Sequence, residues 1–162
     1  MEYHIEKATL ADAETLYQLI NTTAQEAVLL VRSRNYIYEN IRDFWVVRLK
    51  KKAVACCSLH IVGWEDLAEI KSLVVGKSFR KRGFGRQLIE RCLSEAQALG
   101  VKKIFALTYI PAFFKRMGFK KTDKKLLPHK IWAECINCDK FPDCKEEAMI
   151  YSVHQTRGGK NG

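Results

Sequence analysis

No apolar run in this sequence approaches the ~18 residues of a membrane-spanning helix, so its composition points to a soluble domain. The first twenty residues carry acidic side chains and lack a basic-then-apolar leader, which makes the cytoplasm the expected compartment. Internal repeats and low-complexity linkers are also missing, which excludes solenoids and strings of modules. At 162 residues the chain is expected to form one domain over residues 1–155, with residues 156–162 as a loose tail. Six cysteines are present, but Cys56 and Cys57 are adjacent in an apolar run and Cys92 lies in a helix-like stretch. Reduced thiols are therefore expected rather than a disulfide scaffold.

Acidic residues are scarce where the basic ones collect. Residues 77–130 hold fifteen Lys/Arg against three acids, Glu90, Glu95 and Asp123, a local balance of +12 in a chain of net charge +10. A basic middle on a near-neutral body implies a polyanionic partner, either a nucleic acid or a phosphorylated small molecule.

The pattern of apolar residues predicts a mixed α/β fold. Tyr3–Lys7 alternates as a strand, and Thr9 is placed to cap a helix containing Leu16, Leu19 and Ile20. A second helical pattern after Ser33 includes Tyr36, Ile37, Asn40 and Ile41. Phe44–Leu49 and Ala53–Val62 read as a hairpin around Lys50-Lys51-Lys52, despite the absence of a glycine in the turn. Leu67–Val75 is a further strand ending at Gly76. A helix follows with Leu88, Ile89, Cys92, Leu93 and Ala96 on one side, closed by Gly100. Lys103–Thr108 is a strand, Pro111 starts a short helix ending near Gly118, and Ala148–Val153 is the last strand.

The most informative segment joins the strand at 67–75 to the long helix. Glycines at 83 and 85 let backbone N–H groups approach an anion, and the helix that follows presents unpaired donors and its positive end. Arg80, Lys81, Arg82 and Arg86 add charge suited to a pyrophosphate. Two familiar phosphate motifs are missing. Gly76-Lys77-Ser78 imitates the end of a Walker A loop, but its first glycine falls on Lys71, and the G-x-G-x-x-G spacing of dinucleotide folds is absent.

What remains is R-x-x-G-x-G from Arg80 to Gly85. After a strand and before a helix, this resembles the acetyl-CoA loop of the GNAT acetyltransferases. Pro111-Ala112-Phe113-Phe114-Lys115-Arg116-Met117-Gly118-Phe119 is similar to that superfamily's A-x-x-F-Y-x-x-x-G-F segment after strand five. The resemblance implies a mixed, mostly antiparallel sheet flanked by helices and splayed between strands four and five. Over nearly the whole chain, V-L-L-V-R-S (28–33), I-R-D-F (41–44), D-L-A-E-I-K-S-L (66–73), F-A-L-T-Y (105–109) and L-P-H-K-I-W (127–132) resemble short, stand-alone N-acetylglutamate synthases. These acetylate L-glutamate at the start of arginine biosynthesis. One departure is Val31, where such enzymes tend to have proline before the Arg-Ser pair.

The resemblance implies roles for particular residues. Glu69 occupies the position where the superfamily often places its base, and alternation puts Lys71 on the same side of the strand. Backbone groups of Leu73, Val74 and Val75 would hold the pantetheine arm, with Arg80, Lys81, Arg82, Gly83, Phe84, Gly85 and Arg86 around the pyrophosphate. Phe114 also falls at the cofactor, where many relatives carry a tyrosine that protonates the leaving thiolate, so no general acid is assigned. A dicarboxylic substrate needs cations, and Arg32 is the leading carboxylate anchor with Lys130 second. Ser72 and Thr108 are candidate hydrogen-bonding groups for the substrate.

His129, Cys135, Cys138 and Cys144 have the composition of a three-cysteine, one-histidine zinc site, to be weighed against reduced thiols in a loop. The expected cosubstrate is acetyl-CoA and the expected partner a small amino acid, with a homodimer compatible with the sequence. Two other readings stay open. One keeps the fold and changes the amine to a protein N-terminus, a lysine, a polyamine or another amino acid. The other is a basic RNA-binding or regulatory module without catalysis, although aromatic residues are not interleaved with the basic ones as in RNA-binding sheets.

Overall fold

The computed structural model describes residues 2–24, 31–62, 67–127 and 146–154. Its elements are β1 (Tyr3–Lys7), α1 (Ala13–Ala24), α2 (Arg34–Glu39), β2 (Phe44–Leu49), β3 (Lys52–Ile61), β4 (Leu67–Val75), α3 (Phe84–Leu99), β5 (Lys103–Thr108), α4 (Pro111–Arg116), β6 (Lys120–Thr122) and β7 (Glu147–Ser152). The strands form a mixed sheet in the order β1-β2-β3-β4-β5-β7-β6. The pairs β1–β2, β2–β3, β5–β7 and β6–β7 are antiparallel, whereas β4 and β5 run parallel through Leu67–Glu69 and Lys103–Phe105. No helix among the described residues is long and apolar enough to cross a membrane.

The chain divides into two compact units, residues 1–59 with 70–92 and residues 60–69 with 93–162. In the first, Leu16, Ile20, Ile37, Phe44, Val46 and Cys56 are buried against one another. The entry to α1 is built from Thr9 and Asp12. The Asp12 carboxylate accepts from the Thr9 backbone N–H at 2.8 Å, and the Asp12 N–H donates to the Thr9 carbonyl at 2.9 Å. A 3-10 turn over Leu10–Asp12 thus precedes the helix that Thr9 is expected to cap directly. Arg48 of β2 then grips both Asp12 oxygens at 2.8 and 2.9 Å.

Several boundaries differ from those expected. Leu49 pairs with Lys52, so β3 starts one residue early and the hairpin turn is Lys50-Lys51. Lys50 takes φ +55 there, the role a glycine would normally fill. Helix α2 stops at Glu39, where its C-cap Asn40 leaves helical geometry at φ −109 and adds its side-chain amide to its backbone N–H on the Tyr36 carbonyl; Ile41 falls in a following 3-10 turn. In the second unit, Phe105, Leu127 and Ala148 form a small core with Leu67 and Leu107 around it. Phe114 of α4 meets Phe119 edge to face at 5.1 Å. The expected tail, residues 156–162, lies outside the described residues.

Candidate active site

In the first unit, β4 loses its regular form at Ser72, which has φ +55. A left-handed residue inside a strand is a local irregularity, and here side chains of β3 donate to the carbonyls at it. The Ser58 hydroxyl on β3 donates to the Lys71 carbonyl at 3.0 Å, and the Cys56 thiol donates to the Ser72 carbonyl at 3.4 Å. Complete burial pushes the Cys56 thiol up to about 12, so it remains a neutral donor. Leu73, Val74 and Val75 follow this irregularity directly.

Past β4, the Gly76 N–H donates to the Val54 carbonyl at 2.8 Å, and a 3-10 turn over Lys77–Phe79 carries the chain to the basic loop. Lys81 and Gly83 both have positive φ, +65 and +81. The first backbone bond of α3 runs from the Gln87 N–H to the Gly83 carbonyl at 3.1 Å. The N–H groups of Phe84, Gly85 and Arg86 therefore precede the helix's own ladder and can donate to an anion at its positive end. Phe84 anchors this terminus in the interior, at 3% exposure and 4.9 Å edge to face with Tyr3.

The arginines divide by role. Arg80 donates to the Val75 carbonyl at 3.2 Å and Arg82 to the Ser78 carbonyl at 3.4 Å, so both brace the turn. Arg86 is exposed and paired with Glu90 one helical turn on, at 3.0 Å. This geometry suits a pyrophosphate: positive charge around backbone donors in a loop that needs positive φ.

A second group of side chains in the same unit surrounds Tyr36. The Arg32 guanidinium lies 4.5 Å from its ring centroid and the Lys71 ammonium 5.3 Å. Arg32 and Lys71 are each only 8% exposed. The Asn21 side chain fixes the Arg32 backbone from both sides, donating to its carbonyl and accepting from its N–H, each at 2.9 Å. Val31, beside it, is exposed. Lys71 carries no role in the sequence reading beyond its shared strand face with Glu69, and Tyr36 reads there as one more position on a helix face.

In the second unit, Glu69 is buried at 2% exposure on the paired part of β4. Thr108 ends β5, and its hydroxyl accepts from the Ile110 N–H at 2.9 Å, forming the turn into α4. Phe114 is 4% exposed between Phe113 and Phe119 and brings no hydroxyl. Lys130 and the group His129, Cys135, Cys138 and Cys144 lie outside the described residues. Among the described residues no cluster of His, Cys, Asp or Glu could hold a metal ion.

Comparison with known proteins agrees with this geometry. Residues 13–119 match the acetyltransferase (GNAT) family. The chain is 40% identical over 149 residues to an uncharacterised N-acetyltransferase of Chlorobaculum tepidum, covering 92% of this chain and 96% of that protein. It is 32% identical over 133 residues to an amino-acid acetyltransferase of Mycobacterium tuberculosis, covering 80% of this chain and 75% of that one. N-acetylglutamate synthase of Neisseria gonorrhoeae, solved with coenzyme A and N-acetyl-glutamate, superposes with a TM-score of 0.86 at 22% identity. That match covers 96% of this chain and 36% of the Neisseria chain. With a strand, a basic glycine turn and a helix N-terminus in the expected order, and a family match across most of its length, this chain belongs to the GNAT family of acetyltransferases.

Proposed function

We propose that this enzyme transfers the acetyl group of acetyl-CoA to the α-amino group of L-glutamate, in the cytoplasm, as the first step of arginine biosynthesis. The observation that carries this reading is the pair of buried cations, Arg32 and Lys71, beside the Tyr36 ring. Two cations beside one ring present positive charge that matches the two carboxylates of glutamate. A monocarboxylic or cationic acceptor matches that charge less well. The names of the Mycobacterium and Neisseria proteins point to the same substrate class.

Transfer requires that the ammonium lose a proton, that the thioester carbonyl be polarised and that a thiolate depart. Acetyl-CoA, when bound, supplies the activated acyl carbon. The turn from Arg80 to Arg86 would hold its pyrophosphate through the α3 N–H groups, and the amides of Leu73–Val75 after the Ser72 irregularity would hold its pantetheine arm. Glu69 is proposed as the base that takes the proton from the substrate ammonium, directly or through a water. Ser72 and Thr108 are proposed to hydrogen-bond the acceptor. A phenylalanine at 114 offers no proton, and a thiol of ordinary pKa near ~8.5 leaves adequately with water as the proton source.

The test is the kinetics of Arg32→Ala with L-glutamate. The KM for glutamate is expected to rise by about tenfold or more, with the KM for acetyl-CoA unchanged. An unchanged glutamate KM overturns the assignment of Arg32 and with it the carboxylate argument.

A further inference from the structure

The cofactor turn does not use up the positive charge of this chain. On the α1 side of the Gly76–Arg80 segment lies a cavity of about 300 Å³ that no step above requires. Lys52 at the start of β3 and Lys77 line it, beside Arg80, whose Nε is tied to the Val75 carbonyl at 3.2 Å, and no carboxylate among the described residues faces it. One wall is a polar face of α1, where Thr15, Gln18 and Thr22 recur at helical spacing beside the buried stripe of Leu16 and Ile20. The floor is apolar, made by Leu19, Val54 and Phe79.

That floor is rigidly built at Gly76. A Cβ there would come within 2.9 Å of the Val54 carbonyl oxygen and 3.3 Å of the Phe79 ring. The absence of a side chain lets β3, α1 and the turn close on one another, while the Gly76 N–H stays tied to Val54. A pocket lined by two lysines, hydroxyl and amide groups on one wall and an apolar base has the makeup of a small-molecule site. Its charge selects an oxyanion.

We propose that this cavity binds a small phosphorylated molecule, at a site distinct from the acetyl-CoA turn and independent of which amine the enzyme acetylates. The phosphate would sit between Lys52 and Lys77, with α1 hydroxyls completing its hydrogen bonds and the remainder of the ligand over Leu19 and Phe79.

Equilibrium dialysis of the full chain against radiolabelled inorganic phosphate at low ionic strength tests this. Wild-type protein is expected to show saturable binding to a single site. The Lys52→Ala/Lys77→Ala variant, which changes two exposed side chains, is expected to bind about tenfold more weakly. Thr22→Glu, which puts a carboxylate on the α1 wall, is expected to have a similar effect. Arg82→Ala/Arg86→Ala, which strips charge from the cofactor turn alone, is expected to stay within about twofold of wild type. Far-UV circular dichroism verifies the fold of each variant. The proposal is overturned if wild type shows no saturable uptake. It is equally overturned if the Arg82/Arg86 variant loses binding as much as the lysine variant, because the phosphate then occupies the cofactor turn or a diffuse field.

Discussion

Tyr36, Arg32 and Lys71 come from a helix, the loop before it and a strand, and their grouping gives single residues a measurable weight. Lys71→Met keeps most of the volume and removes the charge. It is expected to raise the KM for glutamate by about tenfold while changing kcat less, read from initial rates at saturating acetyl-CoA. A Lys71 with a purely packing role would leave that KM alone. Gly83 makes a parallel case on the cofactor side. With φ +81, alanine there costs roughly 1 kcal/mol of backbone strain, and relaxing it would re-aim the α3 N–H groups. Gly83→Ala is therefore expected to raise the KM for acetyl-CoA several-fold more than the KM for glutamate.

Among the elements, β4 carries the most information. Its positive φ at Ser72 is accompanied by side-chain donors, Ser58 to the Lys71 carbonyl and Cys56 to the Ser72 carbonyl. Ser58→Ala leaves the buried Lys71 carbonyl without that donor and is expected to cost about 1–2 kcal/mol in urea unfolding. The α1 entry has a pH signature. The Arg48 guanidinium, bonded to Asp12, holds the Asp12 carboxyl below its ordinary value of 3.8, helped by the Thr9 backbone N–H and opposed by burial. A carboxylate depressed in the folded state contributes stability that is present above its unfolded pKa and is lost as pH falls through the folded one. Wild type is thus expected to lose stability below about pH 4 more steeply than Asp12→Asn, which starts about 2 kcal/mol less stable at neutral pH.

The same elements show what the sequence could reveal. β2 and β5 have the bounds expected from their alternation, because local pattern and turn residues define them. β6 was not foreseen. Lys120-Lys121-Thr122 has no apolar alternation and is a strand only because β7 pairs with it. The bend at Ser72 was equally hidden, since nothing about a serine announces a positive φ inside a strand. At the site, Arg80 to Arg86 were legible as a contiguous motif, while the approach of Lys71 and Arg32 to one tyrosine depends on contacts between distant segments. Lys130 and the His129–Cys144 group stay as sequence expectations, lying outside the described residues.

For the molecule as a whole, two properties follow from charge and burial. A net charge of +10, with five Lys/Arg between residues 77 and 86, should make acetyl-CoA capture salt-sensitive. Its KM is expected to rise as ionic strength moves from about 0.05 to 0.5 M, while the KM for glutamate at the proposed Arg32–Lys71 site is expected to change less. The thiols of Cys56, Cys57 and Cys92 are free and fully buried, with Cys92 donating to the Cys57 sulfur at 3.8 Å. Burial raises both Cys56 and Cys57 above the ordinary thiol range. These three are expected to react with a thiol reagent only after denaturation, as peptide mapping of the labelled protein can show.

The most direct measurement is the release of free coenzyme A from acetyl-CoA by purified protein across a panel of amino acids. Strong turnover with L-glutamate, and little with glutamine or lysine, is the result expected from two buried cations serving one dicarboxylate. Turnover that prefers a monocarboxylic or cationic amine, or none with any amino acid while acetyl-CoA still binds, would contradict it and turn the search to a different acceptor on the same GNAT fold.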